Sequence, residues 1–412
     1  MSQILGGYNL LDPSVVEDPY PFYRSLLEQS PVYRVPGTEV FLVSSHELVN
    51  SALKNHEDYS ANLTGVLVTG TNGQPELFDF SQFGGSVDAI ANADAPSHSV
   101  HRKLLLPQLN TRKVEAMEEE LRGWAAKSIQ GLVDARRGDW MNEVANRIPV
   151  MAMARLVGLP VEDLEQLLEW AFSGGEILAG TTTMDEMVEL SVHTAAMSAY
   201  LFQHFAEALD NRGEEDPCDV IGELVVGVRQ GKITEQEAVS IIIVLVGAAG
   251  ESTSSLTGNA VRILAEDTEM QKRLRLEPER IEDFLEEVVR LETPFKGHYR
   301  VVLNDTCLGD IELPAGSWVI LLWAAANRDP TVFNNPDDLD INRKRPREHL
   351  GFGWGMHFCI GARLARLEAR VMVEELLQRS ESFVVSAVTK PQHISSIFVR
   401  RLEQLNLEIT SA

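Results

Sequence analysis

The sequence predicts a mainly helical chain with a minor β portion. Helical periodicity runs almost unbroken from about 95 to 292. The strand-like pieces VVLN, SWVILL, FVVS, SIFVRR and LNLEI are short and scattered through the last third. Strands and helices do not alternate, and no GxGxxG or Walker loop appears, which argues against a doubly wound nucleotide-binding fold.

From the N-terminus, DPYPFYRSLLEQ opens with Asp18 as a cap and Pro19 in the first helical turn. VYRV and VFLVS, near 32–44, alternate as a short hairpin. Residues 57–93 lack periodicity and are rich in Gly, Thr and Asn, the pattern of a functional or disordered loop. DAPSHSVHRKLL then sets His98 and Arg102 on one helical face. The longest helix starts near Thr234, where TEQE reads as a capping box, and runs towards Glu266. About 30 residues of helix can cross a whole domain. Its apolar stretch from Ile241 to Ala249 predicts a buried middle.

Charge and cysteine usage bound the function. The formal net charge of −25 disfavours binding to nucleic acid and to anionic membranes. Cys218, Cys307 and Cys359 form no CxxC pair, which points to a reducing compartment and away from a structural zinc site. The N-terminus shows no signal peptide, and the run AVSIIIVLVGAAG is too short to span a membrane. A soluble, cytoplasmic protein is expected.

The most informative stretch is FGWGMHFCIG, 352–361. Its glycines permit tight turns and close backbone approach. Cys359 stands at the start of a helix-like run, where the helix dipole favours thiolate. Three readings are open: a small buried apolar residue, a nucleophile awaiting a histidine base, or one thiolate ligand on a haem iron.

These residues resemble the cysteine-loop pattern FGxGxHxCxG of the cytochrome P450 family. The resemblance extends across the chain. Glu287 and Arg290 resemble the family's ExxR pair, and AANRDPTVFNNPDDLDINR resembles the structural stretch that follows it. Gly247-Ala248-Ala249-Gly250-Glu251-Ser252-Thr253 resembles the oxygen-side motif of the long helix, with Ala249 and Ser252 replacing the usual glycine and threonine. The resemblance implies one domain over 1–412, a triangular helical bundle with a long central helix over the haem, and small β-sheets. The implied cofactor is haem b (iron protoporphyrin IX), with Cys359 as its proximal ligand. Phe352, Gly353, Gly361 and Ala248 would border it, and His98, Arg102, Arg300 and His357 would meet its propionates. Glu251 would supply protons and Ser252, or Thr253 beside it, would hold the hydrogen bond on the oxygen side.

The implied activity is a monooxygenase that hydroxylates or epoxidises an apolar small molecule using O2. Substrate contacts would come from Val87, Ile90, Val244, Ala248, Phe295, His298, Ile397 and Phe398. Lys296 and His298 are polar intrusions there, which could meet a substrate carboxylate or hydroxyl but are expected rather to point to solvent. No flavin or nicotinamide motif is present, so electrons would come from a ferredoxin and its NAD(P)H-dependent reductase. Arg343, Lys344, Arg345, Arg347, Arg363, Arg366 and Arg370 gather around the cysteine loop as a basic docking face. A peroxide-using enzyme and a haem-thiolate sensor are the alternatives; the acid–alcohol pair speaks against both. A monomer is expected.

Overall fold

The computed structural model describes residues 8–80, 88–213 and 217–412. Helices dominate, at 54% of the chain against 14% strand. The longest, Glu235–Glu266, is the central helix. Its start is the capping box the sequence predicts. Thr234 Oγ1 accepts from Glu237 N at 3.1 Å, and the Glu237 carboxylate accepts from Thr234 N at 2.7 Å. Among the described residues it is the one helix long and apolar enough to cross a membrane, and 56% of its most apolar window is buried inside the protein.

The central helix is held at two places. Ala238, Val239, Ile241, Ile242 and Val246 pack into one apolar core, and Leu256, Ala260, Val261 and Leu264 into another. Its middle is not buried throughout, as its hydropathy predicts. Ile241, Ile242 and Val246 are buried, but Val244 and Ser252 are half-buried and Ala248 is exposed. Positions four apart share a helical face. The two cores grip the other faces and leave this stripe uncovered.

A five-stranded sheet lies towards the N-terminus, in the order Val32–Arg34, Val40–Val43, Trp318–Leu321, His298–Val302, Tyr59–Ser60. The first two strands form the predicted hairpin. The register sets Val319 opposite Arg300 and Leu321 opposite His298. Within the stretch expected to be irregular, Gly65–Thr69 pairs with Pro75–Asp79. SIFVRR forms no strand and makes one bridge, Phe295 to Val399. A three-stranded sheet joins Ser380–Val385, Asn406–Ser411 and Arg137–Asp139.

Helix Ile281–Leu291 carries the brace. Glu287 and Arg290 are fully buried and meet bidentately, at 2.8 and 2.9 Å. Arg343 Nε and the Asp340 N–H complete the carboxylate's partners at 2.9 and 3.0 Å. The guanidinium also donates to the carbonyls of Asn327, Pro336 and Asp338. Burying an ion pair costs hydration, and only a full set of hydrogen bonds offsets that cost. Here the set is supplied by the 327–343 stretch, which is thereby fixed beneath the cysteine loop. Asn327 passes the constraint on, accepting from Leu350 N at 2.6 Å.

Removing one partner would strand the other charge in the interior. Arg290→Ala should lower stability by about 3–5 kcal/mol in denaturant unfolding. A loss under about 1 kcal/mol, the range of exposed ion pairs, would refute the brace.

Candidate active site

The cysteine loop is a turn closed by its own backbone. Gly353 and Gly355 have φ of 68° and 72°, values that L side chains rarely adopt. With them the chain doubles back, so that Cys359 N donates to Phe352 O at 2.9 Å and Phe358 N to Gly355 O at 3.1 Å. Helix Ala362–Arg379 begins three residues after the cysteine. Burial raises the Cys359 thiol above its ordinary value, while the Gly361 and Ala362 N–H groups and the Arg366 and Arg102 cations oppose the shift. The half-buried sulfur therefore sits where a negative charge has donors.

The brace helix holds this loop from both ends. Glu286, beside Glu287, receives His349 Nε2 at 2.9 Å and Arg366 at 3.0 Å. Burial works against the Glu286 charge, but these two partners bring its pKa down to about 2. Arg366 in turn lies 4.2 Å over the Phe352 ring. Glu286 is a residue the sequence reading missed; its signal was the doubled glutamate at the brace.

The four residues expected to meet propionates converge. The His98 and His357 rings lie 4.2 Å apart between centroids, tilted by 50°. Arg102 donates to Phe358 O at 2.9 Å. Arg300 is buried, and its guanidinium donates to Tyr299 O at 2.7 Å. Neither arginine has a carboxylate within ion-pair reach among the described residues. Burial lowers Arg300 to about 10, and burial with Arg300 beside it lowers His357 to about 2. Both His357 ring nitrogens are buried without a partner. Buried donors are normally satisfied. Each arginine is met by one backbone carbonyl, Asp94 acts on Arg300 and His98 only through space, and the His357 nitrogens have no partner among the described residues, so the cluster keeps donor capacity that the two carboxylates of a haem would fill.

On the central helix the acid and the alcohols point different ways. Ser252 lies on the uncovered stripe with Ala248, and its Oγ donates to Ala248 O at 2.8 Å. The buried Thr253 hydroxyl meets the buried Glu368 of the C-terminal helix. Glu251 is buried, and its carboxyl lies 3.5 Å from Arg401 Nε. Burial raises Glu251 to about 8. The long, single-nitrogen contact with Arg401 only partly offsets this, and the Glu176 carboxylate adds to it. Gly175 has no side chain where that carboxyl lies; a Cβ there would overlap it.

The expected substrate contacts form separate groups. Phe295 stacks on Phe398 at 4.8 Å, with the His298 ring edge-on at 5.8 Å. Ile397 packs with Leu10, Tyr23 and Leu178. Ile90 and Val244 belong to the core around Val246. Val87 lies outside the described residues. Of the two polar intrusions, Lys296 does not face solvent and His298 is half-buried. Lys296 is buried and donates through Nζ to Ser396 O at 2.5 Å, and burial puts its pKa well below the usual lysine value. Burial likewise lowers His298 to about 4.

The basic face is largely neutralised from within. Arg343 meets Glu287, Arg366 meets Glu286, Arg370 meets Glu118 and Glu374, and Arg345 meets Glu348. Arg347 lies 3.6 Å from Glu286. Trp354 and Phe358 are exposed on the loop itself, at 50% and 39%. Spacing along the sequence reveals the arginines but not the distant glutamates that answer them.

A family model described as Cytochrome P450 matches residues 192–406. The chain is 38% identical over 400 residues to "Cytochrome P450 144" of Mycobacterium tuberculosis, covering 96% of this chain and 89% of that protein. It superposes on CYP109E1 of Bacillus megaterium, solved with testosterone, at a TM-score of 0.85 and 25% identity, covering 96% and 99% of the two chains. A complex of P450BioI with acyl carrier protein ligated to hexadec-9Z-enoic acid gives 0.84 at 27% identity, covering 96% and 100%. The chain belongs to the cytochrome P450 family of haem-thiolate monooxygenases.

Proposed function

We propose that this P450 uses haem b, held by Cys359, to insert one oxygen atom from O2 into an apolar small molecule. It acts as a single cytoplasmic domain. The observation that carries the reading is the donor cluster of His98, Arg102, Arg300 and His357, whose arginines have no carboxylate within ion-pair reach among the described residues, beside a thiol fed by two backbone N–H groups. When bound, the haem supplies dioxygen activation. Arg102 and Arg300 would hold its carboxylates with the neutral imidazoles of His98 and His357 beside them, and the Gly361 and Ala362 N–H groups would stabilise the sulfur's charge. Testosterone and the C16 acyl chain bound by two structural relatives are apolar, which agrees with the stacked Phe295–Phe398 wall.

Ser252, not Thr253, is the alcohol of the oxygen side, because it lies on the stripe with Ala248 while Thr253 is engaged by Glu368. Glu251 is the proton reserve, kept protonated at neutral pH by burial. Electrons come from a ferredoxin that docks over the cysteine loop. With most arginines there already paired, exposed Trp354 and Phe358 carry much of that contact, together with Lys344 and Arg363.

The reduced, carbon-monoxide-bound protein should show the red-shifted main band of thiolate ligation, and Cys359→Ser should lose it. An unshifted wild-type band would overturn the reading. Ferredoxin-driven reduction should slow by less than about tenfold from low to high salt, since few unpaired charges are available for screening; a steeper fall would restore the basic face as the main contact.

Ser252→Ala should lower product formed per electron consumed while substrate binding persists; unchanged coupling would remove Ser252 from the pathway. For Glu251, a folded pKa of about 8 above the ordinary 4.5 gives a stability contribution present below 4.5 and lost as pH rises through 8. Turnover should fall over the same upper range as the proton is lost. Glu251→Gln should abolish that pH-linked loss of stability, and a profile identical to wild type would rule out a buried proton on Glu251.

A further inference from the structure

Trp323 follows the strand that pairs with the Arg300 strand after one residue, Leu322, and it opens the short helix Trp323–Ala326. It is buried, and its Nε1 has no hydrogen-bond partner among the described residues. Leaving a buried N–H unsatisfied is unfavourable, so its location needs a reason. The indole edge that bears Nε1 faces the cysteine loop: Cζ2 lies 4.0 Å from the place a Cβ on Gly353 would occupy. The ring is also 6.1 Å from the His298 ring, which lies close enough to His357 to lower its pKa. Trp140 likewise has an unpartnered Nε1, but it lies in the apolar core with Met141 and Val144. What sets Trp323 apart is its company. Among the described residues Arg300 has no carboxylate within ion-pair reach, Asp94 acting on it only through space, both His357 nitrogens are orphaned, and the indole N–H joins them at the same loop.

We propose that the Trp323 indole N–H donates to a haem propionate, beside Arg300 and His357, and so positions and retains the cofactor. An indole is donor only, so it can serve a carboxylate and cannot be served by the surrounding cations. The proposal rests on the haem reading given above.

The test uses the haem-loaded protein. Trp323→Phe keeps the ring but removes the donor. Haem transfer to excess apomyoglobin should become roughly tenfold faster, the size expected for one hydrogen bond to a charged group. The propionate bending band in resonance Raman spectra should shift, while Trp140→Phe leaves it in place. A folded Trp323→Phe protein with wild-type haem loss and an unshifted band would overturn the proposal. A measurement on the wild type does not depend on any variant's folding. In the ferrous, carbon-monoxide-bound form, one ¹⁵N-indole proton signal carrying the haem ring-current shift should lie downfield, as a carboxylate-bonded N–H does. Its absence would also overturn the proposal. If wild type fails to give the thiolate carbon-monoxide band, the haem reading fails instead, so the two failures are distinguishable.

Discussion

The buried pair Glu287–Arg290 is the interaction on which the site's geometry depends. Neither charge is stable in the interior alone, so each must collect partners until its hydrogen-bonding capacity is filled. Collecting them draws Arg343, Asp340 and three carbonyls of the 327–343 stretch against the brace helix. The neighbouring Glu286 does the same for the flanks of the cysteine loop through His349 and Arg366. Two adjacent glutamates on one helix thereby fix a loop that has almost no regular structure of its own.

A second constraint comes from the other side. The central helix must be rigid, yet leave one face free of packing. Anchoring its two halves in separate cores achieves both. The small residues between the anchors fill little space, and the stripe through Ala248 and Ser252 stays open. The hydropathy of that segment reads as burial because it reports composition and says nothing of an absent neighbour.

Much of this was legible beforehand, and the exceptions share a cause. The cysteine loop, the capping box at Thr234 and the 32–44 hairpin are local, with chemistry and spacing inside one short window. The hairpin Gly65–Thr69 with Pro75–Asp79 was equally local and was overlooked, although Asn72-Gly73 between two strand-like runs is the usual turn signal. The pairing of Arg366 with Glu286, the inward turn of Lys296 and the orphaned indole of Trp323 are different. Each depends on residues distant in the chain, which no periodicity records. Ser252 and Thr253 were indistinguishable as residue types; only the helix's orientation against Glu368 separates them.

Gly175 contributes no functional group, yet it sets the direction of the acid. Because nothing projects from its Cα, the Glu251 carboxyl fills the space and is held between the Gly175 N–H and Arg401. Any larger residue at 175 would evict the carboxyl from that berth and swing it around its own helix. The orientation of the proton reserve is thus written into a neighbouring helix as a missing methyl group, and position 175 acts as its steric selector.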